Sequence, residues 1–498
     1  MKHILLFGAG KSANFLIRYL KELSEACRYT VTVADECLEN ARSKVGEHRF
    51  VKAAIANAEN QTERVNLIKQ ADIVISLLPP SLHYPVAVDC IEYGKHLLTA
   101  SYIDEKIQAL KPQIESKNLL FLCEMGLDPG IDHMSAMQLV HRIKAHGGKI
   151  RSFISHCGGL VAPENDNNPW HYKISWNPRN IILAGKAGAL FKENGEIKRV
   201  QYNKLFSERL VLINEMLLSY YPNRDSLSYI PVYHLENADT FIRTTLRHPD
   251  FCFGWKNIVD LRLTDDTMIY DTTNLSIADF FKSHFDKFEL NDWLTEMLTT
   301  RLSCAKDIMG NLLQLLEAEK KLQKVGSDQD GTIMLVNEKG ELDTLEVGDV
   351  KGQAAASLAV KMHEASLVLK QLFFLGLDSN ELINQGNCTA AEVLQFIVEK
   401  KLALEKNDKD MVVMMHDIEY ETNGKHNKVR SSLIVKGEDS INTAMAKTVG
   451  LPLGIAAKLI LEGSLTVTGL HIPVLPSIYI PVLTELEKHG IVFEEKTE

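Results

Sequence analysis

The sequence predicts an α/β protein built on a doubly wound parallel sheet, and three observations predict it. Short apolar runs alternate with amphipathic helical ones through residues 2–125, the pattern of repeated βαβ units. The first apolar run leads straight into a glycine-rich turn, Gly8-Ala9-Gly10-Lys11-Ser12-Ala13. The sixth leads into a second turn, Glu-Met-Gly-Leu-Asp-Pro-Gly-Ile-Asp-His at 124–133. Turns at the carboxyl ends of parallel strands are where open α/β sheets bind ligands.

Strands are expected at 3–7, 29–34, 49–53, 72–77, 96–100 and 118–123, with helices between them such as 12–26 and 59–70. The turn after residues 3–7 has the GxGxxA form of a dinucleotide fingerprint. Gly8 allows the tight turn, Gly10 lets backbone approach a pyrophosphate, and Ala13 keeps helix close to strand. Asp35 ends the second strand, about 25 residues after Gly10. An acidic side chain there accepts from adenosine ribose hydroxyls and repels a 2′-phosphate, which favours NAD over NADP; Arg42 is the nearby cation that opposes this. The fourth strand ends at Ser76-Leu77-Leu78, placed to give backbone contacts on the nicotinamide side of the cofactor. Pro79 and Pro80 alone would also stop the strand there.

Asp128-Pro129 reads as a helix start, an acidic N-cap with proline at the first helical position. That helix should run to about Ala145 and stop at Gly147-Gly148. A strand from Lys149 to Cys157 then leads into Gly158-Gly159. Residues 160–180, rich in Pro, Asn and Asp, read as a long ordered loop of the kind that often carries function. From 276 to 405 the pattern is mainly helical, with Phe280, Phe281, Trp293, Leu294, Leu298 and Ile308 at helical spacings. Thr389 and Glu392 form a capping box, and 325–352 reads as a hairpin or mobile excursion. Residues 411–420 and 427–435 read as strands joined at Asn423-Gly424, and a final helix spans about Ser440–Leu461.

Composition narrows the function classes. At 498 residues the chain has room for two to four domains, and 45% hydrophobic content supports a large core. The net charge of −10 is spread along the chain, so nucleic acid and anionic membrane are poor partners. No apolar run reaches the roughly 18 residues of a membrane span, and the opening strand leaves no signal peptide to expect. Eight cysteines without a CxxC pair read as reduced thiols of a cytoplasmic enzyme without a structural metal.

Polar residues gather in Thr99-Ala100-Ser101-Tyr102, Cys157-Gly158-Gly159-Leu160, Lys173-Ile174-Ser175-Trp176, Tyr221-Pro222-Asn223-Arg224-Asp225-Ser226 and Thr244-Thr245-Leu246-Arg247. Arginine forks suit bidentate capture of carboxylates. Two of them beside a dinucleotide turn suggest a substrate with several carboxylates; taken alone, each arginine reads as a surface or ion-pair residue.

Gly-Leu-Asp-Pro-Gly-Ile-Asp-His at 126–133, Cys-Gly-Gly-Leu with Ala-Pro-Glu at 157–164, Asn-Pro then Tyr-Lys-Ile-Ser-Trp at 168–176, Tyr-Pro-Asn-Arg-Asp-Ser at 221–226, Ile-Arg-Thr-Thr-Leu-Arg at 242–247, Asp410-Met411-Val412-Val413 and Thr448-Val449-Gly450-Leu451-Pro452 resemble the glutamate-forming saccharopine dehydrogenases. The resemblance covers 1–260 and 405–498 well. Residues 260–405 are harder to match, and Val161 stands where the family pattern leads one to expect proline. It implies a Rossmann domain over 1–125 rejoined by about 451–498, a mixed α/β substrate-binding and dimerisation domain over 126–275 completed by about 406–450, and a mainly helical domain over 276–405. It implies substrate contacts at Ser101, Tyr102, Asp128, Ser175, Arg224, Thr245, Leu246 and Arg247, and dinucleotide contacts at Gly8, Ala9, Gly10 and Ser12. It also implies a homodimer, small-molecule substrates (saccharopine, glutamate, aminoadipate semialdehyde), and NAD or NADP as cofactor.

On this reading Arg224 and Arg247 hold carboxylates. Ser101, Tyr102, Ser175 and the Gly158 and Gly159 amides fix other polar groups, with Cys157 near the imine. Asp128 and Tyr102 are the candidates for proton transfer, with Lys173 and His133 behind them. A polyamine-type amine–aldehyde condensation, as in carboxynorspermidine or homospermidine synthesis, is the enzyme alternative. A non-catalytic NAD-binding regulator is the other.

Overall fold

The computed structural model describes residues 1–183, 185–207, 209–290, 292, 295–296, 299–300, 303, 306–310, 313, 332–336 and 342–497. It divides into one unit of Met1–Phe253 with Leu402–Glu498 and another of Gly254–Lys401.

The first unit holds two sheets. Strands β1 (His3–Phe7), β2 (Thr30–Asp35), β3 (Val51–Ile55), β4 (Ile73–Ser76), β5 (His96–Thr99) and β6 (Leu120–Leu122) are all parallel. Residues Gly469–His471 add a seventh strand beside β6, giving the order 469–471, β6, β5, β4, β1, β2, β3. Ile4 to Phe7 at its centre are fully buried, as the unbroken apolar run of a doubly covered strand requires. Helix Asn14–Cys27 buries Phe15, Leu16, Tyr19, Leu20 and Leu23 and packs on helix Ala444–Leu461. Gly454 permits that approach: a Cβ there would sit 2.5 Å from the Tyr19 ring. Helix Ala444–Leu461 corrects one expectation, because it is long and apolar enough to cross a membrane, with a mean hydropathy of 1.5; 67% of it is buried in the protein.

The second sheet uses β7 (Lys149–Val161), β8 (Ala189–Glu193), β9 (Glu196–Val200), β10 (Leu210–Ile213), β11 (Met216–Pro222) and β12 (Thr240–Arg247), with Asp410–Thr422, Lys425–Lys436 and Glu494–Thr497. Its order is β10, β11, β12, β7, 410–422, 425–436, 494–497, with β8 on β12 and β9 on β8. The hairpin at Asn423-Gly424 forms with both residues at positive φ (52° and 74°), as its two-residue turn demands. The β7 strand does not stop at Cys157. Gly158 and Gly159 stay in register with Val413 and Val412, because a glycine thins a strand without ending its pairing.

The helix after the second glycine turn is Ile131–Ala145, with Gly130 before it and no side-chain cap. Asp128 is therefore not an N-cap. The peptide between Asp128 and Pro129 is cis. The turn closes on itself instead: Gly126 N–H donates to Pro129 O and Ile131 N–H to Gly126 O. A Cβ on Gly130 would lie 2.0 Å from Gly126 O, so only glycine closes this turn.

In the other unit, helices Ile277–Lys287, Val347–Phe374 and Ala390–Lys401 dominate. Phe280 and Phe281 are buried and Ile308 is half-buried; Trp293, Leu294 and Leu298 lie outside the described residues. The Thr389/Glu392 capping box forms reciprocally, Glu392 N–H to Thr389 Oγ1 at 3.2 Å and Thr389 N–H to Glu392 Oε2 at 2.8 Å. Within the stretch read as hairpin or excursion, Thr332–Val336 pairs with Leu342–Glu346.

Candidate active site

The first turn has the form a dinucleotide needs. Gly8 has φ +96°, and a Cβ on it would come within 2.9 Å of Leu77 O. The β4 edge thus presses on the turn, and Leu77 N–H is itself committed to Phe7 O. A Cβ on Gly10 would meet nothing within 4 Å among the described residues, which leaves open space over the backbone where a pyrophosphate would lie. Ala9 and Ala13 are buried, and Lys11–Ala13 forms a short 3-10 turn ahead of the helix; Ser12 and Leu78 are half-buried. Asp35 takes Ala9 N–H at 2.7 Å and Cys37 N–H at 2.9 Å, so its carboxylate sits against the turn. Lys44 donates to Ala9 O and to Gly10 O. A cavity of about 750 Å³ opens beside the turn, lined by Lys11, Asn14, Arg18, Lys44, Ser175 and Thr443 among others. These residues fit a dinucleotide: the glycines leave its space, and the cations suit its phosphates.

The second turn, at the end of β6, gathers buried acidic and basic side chains. Arg243 Nη2 lies 2.6 Å from Asp128 Oδ1 and 2.8 Å from Asp132 Oδ2, and its guanidinium stands 4.4 Å from the Tyr229 ring centroid. Burial, with the Asp132 charge adding to it against Arg243, pushes the Asp128 carboxyl up to about 6. Burial also works against the Asp132 charge, yet His133, Arg243 and the Gly130 amide outweigh it and hold that carboxyl below its ordinary range. Two adjacent carboxyls held apart in acidity are how a site separates proton donor from fixed charge. Asp128, 13% exposed against 1% for Asp132, is the one open to a ligand. Behind them His133 bonds Glu124 Oε2 at 2.8 Å and the Tyr233 hydroxyl at 2.6 Å, and Tyr229 donates to Glu124 Oε2 at 3.0 Å.

Tyr102 stands beside this cluster, its ring centroid 5.2 Å from the Arg224 guanidinium. Burial drives its phenol upward, which favours the form that keeps its proton. Lys173 is held in a buried pair with Asp408 at 2.6 Å. Burial also holds the Cys157 thiol protonated. On β12, Arg243, Thr245 and Arg247 share one face by the two-residue period, with Thr245 opposite Cys157. Arg247 is buried between the Tyr172 and Phe251 rings (5.2 and 5.6 Å) and gives Nη1–H to Leu246 O at 2.8 Å. Its buried Nε has no partner among the described residues, an opening for an anion.

Leu246 itself points into the core with Leu160 and Met411, so only its backbone bears on the site. Gly158 and Gly159 are explained by packing: a Cβ would come 2.5 Å from Leu246 O and 2.6 Å from Met445 Cε respectively. Ser175 is buried, bonds Asp410 and lines the cavity beside the first turn, which neither Asp128 nor Arg243 lines. Ser101 and Ser76 are linked by a residue the sequence reading passed over. His83 bonds Ser76 Oγ at 2.9 Å and Ser101 Oγ at 2.7 Å, and burial lowers its imidazole to about 4. Arg243, Asp132 and Glu124 were missed as well, though Arg243 stands four residues before Arg247 and so on the same strand face.

Comparison with known proteins agrees with this geometry. Residues 4–122 match the family model described as saccharopine dehydrogenase NADP binding domain, and 126–491 match the saccharopine dehydrogenase C-terminal domain. The chain is 30% identical to the Saccharomyces cerevisiae saccharopine dehydrogenase [NADP(+), L-glutamate-forming], covering 100% of this chain and 99% of that protein. It is 32% identical to the alpha-aminoadipic semialdehyde synthase of Arabidopsis thaliana, of which it spans 41%. The solved apo saccharopine dehydrogenase (L-Glu forming) from Saccharomyces cerevisiae superposes over 100% of both chains, with a TM-score of 0.76 and 29% identity.

Proposed function

Since the chain belongs to the saccharopine dehydrogenase family, we propose that it is an oxidoreductase of lysine metabolism. It interconverts L-saccharopine with L-glutamate and L-2-aminoadipate 6-semialdehyde, using a nicotinamide dinucleotide. The observation that carries this reading is the arginine-lined face of β12 beside Asp128. A tricarboxylate amine needs cations for its carboxylates and a carboxylate near its nitrogen, whereas a polyamine would be repelled by Arg224 and Arg247.

In the oxidative direction saccharopine, the oxidised dinucleotide and water give glutamate, the semialdehyde, the reduced dinucleotide and a proton. The bound dinucleotide supplies a hydride acceptor. Arg224 and Arg247 fix carboxylates and so orient the reacting carbon. Asp128 takes a proton from the secondary amine and passes it to solvent, then takes one from the attacking water and returns it to the nitrogen of the departing glutamate. Arg243 and Asp132 hold Asp128 in place, and Tyr102 donates to a substrate oxygen.

Asp35 supports a preference for NAD, because a 2′-phosphate would face its carboxylate. The printed names of the relatives and of the matched domain favour NADP, and Lys44 beside the turn is a cation it could use. The test is formation of reduced cofactor from saccharopine, run in parallel with NAD and NADP. Turnover mainly with NAD supports both the activity and the role of Asp35. Turnover mainly with NADP keeps the activity and removes that role. Absence of turnover with either, in protein that still binds the cofactor, rejects the activity. Arg224→Ala should raise KM for saccharopine at least tenfold and leave cofactor affinity unchanged; unaltered saccharopine kinetics would take Arg224 out of the site.

A further inference from the structure

Away from the two glycine turns, residues of the 160–180 loop meet the start of helix Pro249–Asp260. His171, His248 and Asp250 each bring a donor atom to within 4.8 Å of the others. The His171 and His248 rings stack with centroids 4.0 Å apart, and His171 Nε2 lies 3.3 Å from Asp250 Oδ2. On its far side His171 Nδ1 bonds Asp166 Oδ2 at 2.7 Å. A carboxylate fixing the second ring nitrogen of a histidine is how metal-ligating imidazoles are oriented. Asp166 Oδ1 is buried without a partner among the described residues, and His171 is held at φ +48°, a conformation side chains seldom adopt.

We propose that His171, His248 and Asp250 form a binding site for a divalent transition-metal ion of the zinc class, with Asp166 orienting His171. Two nitrogens and one carboxylate oxygen are the donor set for such a cation, and a fourth position stays open to water. In the ion-free chain Asp166 and Asp250 favour protonated His171; the ion takes the place of that proton, which leaves to solvent. Tetrahedral zinc bonds of about 2.0–2.1 Å put donors about 3.3 Å apart, so one of the two stacked imidazoles turns out of the stack on binding to bring its lone pair onto the ion. The neighbours of the site give it a consequence. His171 precedes Tyr172 and His248 follows Arg247, so the ion would tie together the segments that cage the Arg247 guanidinium. That consequence for catalysis rests on the substrate role proposed for Arg247; the site itself does not.

The test is calorimetric titration of the chelator-treated full chain with zinc chloride, repeated with His171→Gly and Asp166→Asn. Glycine suits the backbone at 171, so that variant should fold. The expected result is one saturable equivalent in the native chain, lost in His171→Gly and weakened about 10–100-fold in Asp166→Asn. Cobalt bound in its place should show ligand-field bands without a thiolate charge-transfer band. Absence of stoichiometric binding, equal affinity in His171→Gly, or a thiolate band would each overturn the site, whatever the activity with saccharopine proves to be.

Discussion

Asp128 and Asp132 share one guanidinium, and that sharing sets what each residue does. With Asp128 pushed up to about 6, oxidation of saccharopine should slow about tenfold for each pH step below that value, because only the ionised carboxylate accepts a proton. Asp128→Asn should lower kcat/KM about 10²–10⁴-fold and abolish that limb of the profile; retention of the limb would move the titrating group elsewhere. Arg243→Ala leaves two buried carboxylates without their cation and should cost about 3–5 kcal/mol at neutral pH. Arg243 lowers the Asp128 carboxyl, so its loss raises the folded-state value further above the unfolded one. The variant's folded state then binds more protons than its unfolded state, and its stability should recover as pH falls from about 7 towards 4. Urea melts across that range would check it; a deficit independent of pH would contradict the charge argument. The sequence singled out Asp128 for the wrong local reason, as a helix cap. Its spacing from Arg247 puts Arg243 on the same strand face, but what makes that arginine a site residue is a pair of carboxylates more than a hundred residues away.

At the level of strands and helices, the local signals that carry their own chemistry were readable. The Thr389/Glu392 box and the Asn423-Gly424 hairpin formed as their side chains and backbone preferences dictate. Gly158-Gly159 was not readable, since two glycines look alike in sequence whether they end a strand or thin it. Here they bring β7 against the Leu246 backbone and Met445. Gly158→Ala places a Cβ 2.5 Å from Leu246 O, and backbone cannot swing aside as a side chain can. The variant should lose about 1–3 kcal/mol and displace the Thr245–Arg247 end of β12. Its KM for saccharopine should rise while cofactor affinity holds, because the first glycine turn lies on the other sheet. Equal KM in wild type and variant, by steady-state kinetics, would show that strand spacing there does not position Arg247.

The chain's last residues tie the two sheets of the first unit together. Gly469–His471 completes the parallel sheet beside β6, and Glu494–Thr497 covers the edge of the other sheet along Val429–Ser432. Resemblance implied a return to the first sheet only; pairing with the second is invisible to periodicity, since Glu494–Thr497 is exposed and charged throughout. Removing residues 494–498 should therefore separate two properties. The cofactor turn rests on strands that stay complete, so dinucleotide affinity should change less than about twofold. The uncovered strand Lys425–Lys436 loses its ladder bonds, and Arg142 loses its pair with Glu495. At about 1 kcal/mol for each net hydrogen bond, the urea midpoint should fall measurably, and the bare edge should make the shortened chain more prone to associate. A loss of cofactor binding equal to the loss of stability would mean that the two sheets unfold as one, and that the terminal strand supports the dinucleotide turn through helix Pro476–Lys488, which lies between Gly469–His471 and Glu494–Thr497 in the chain.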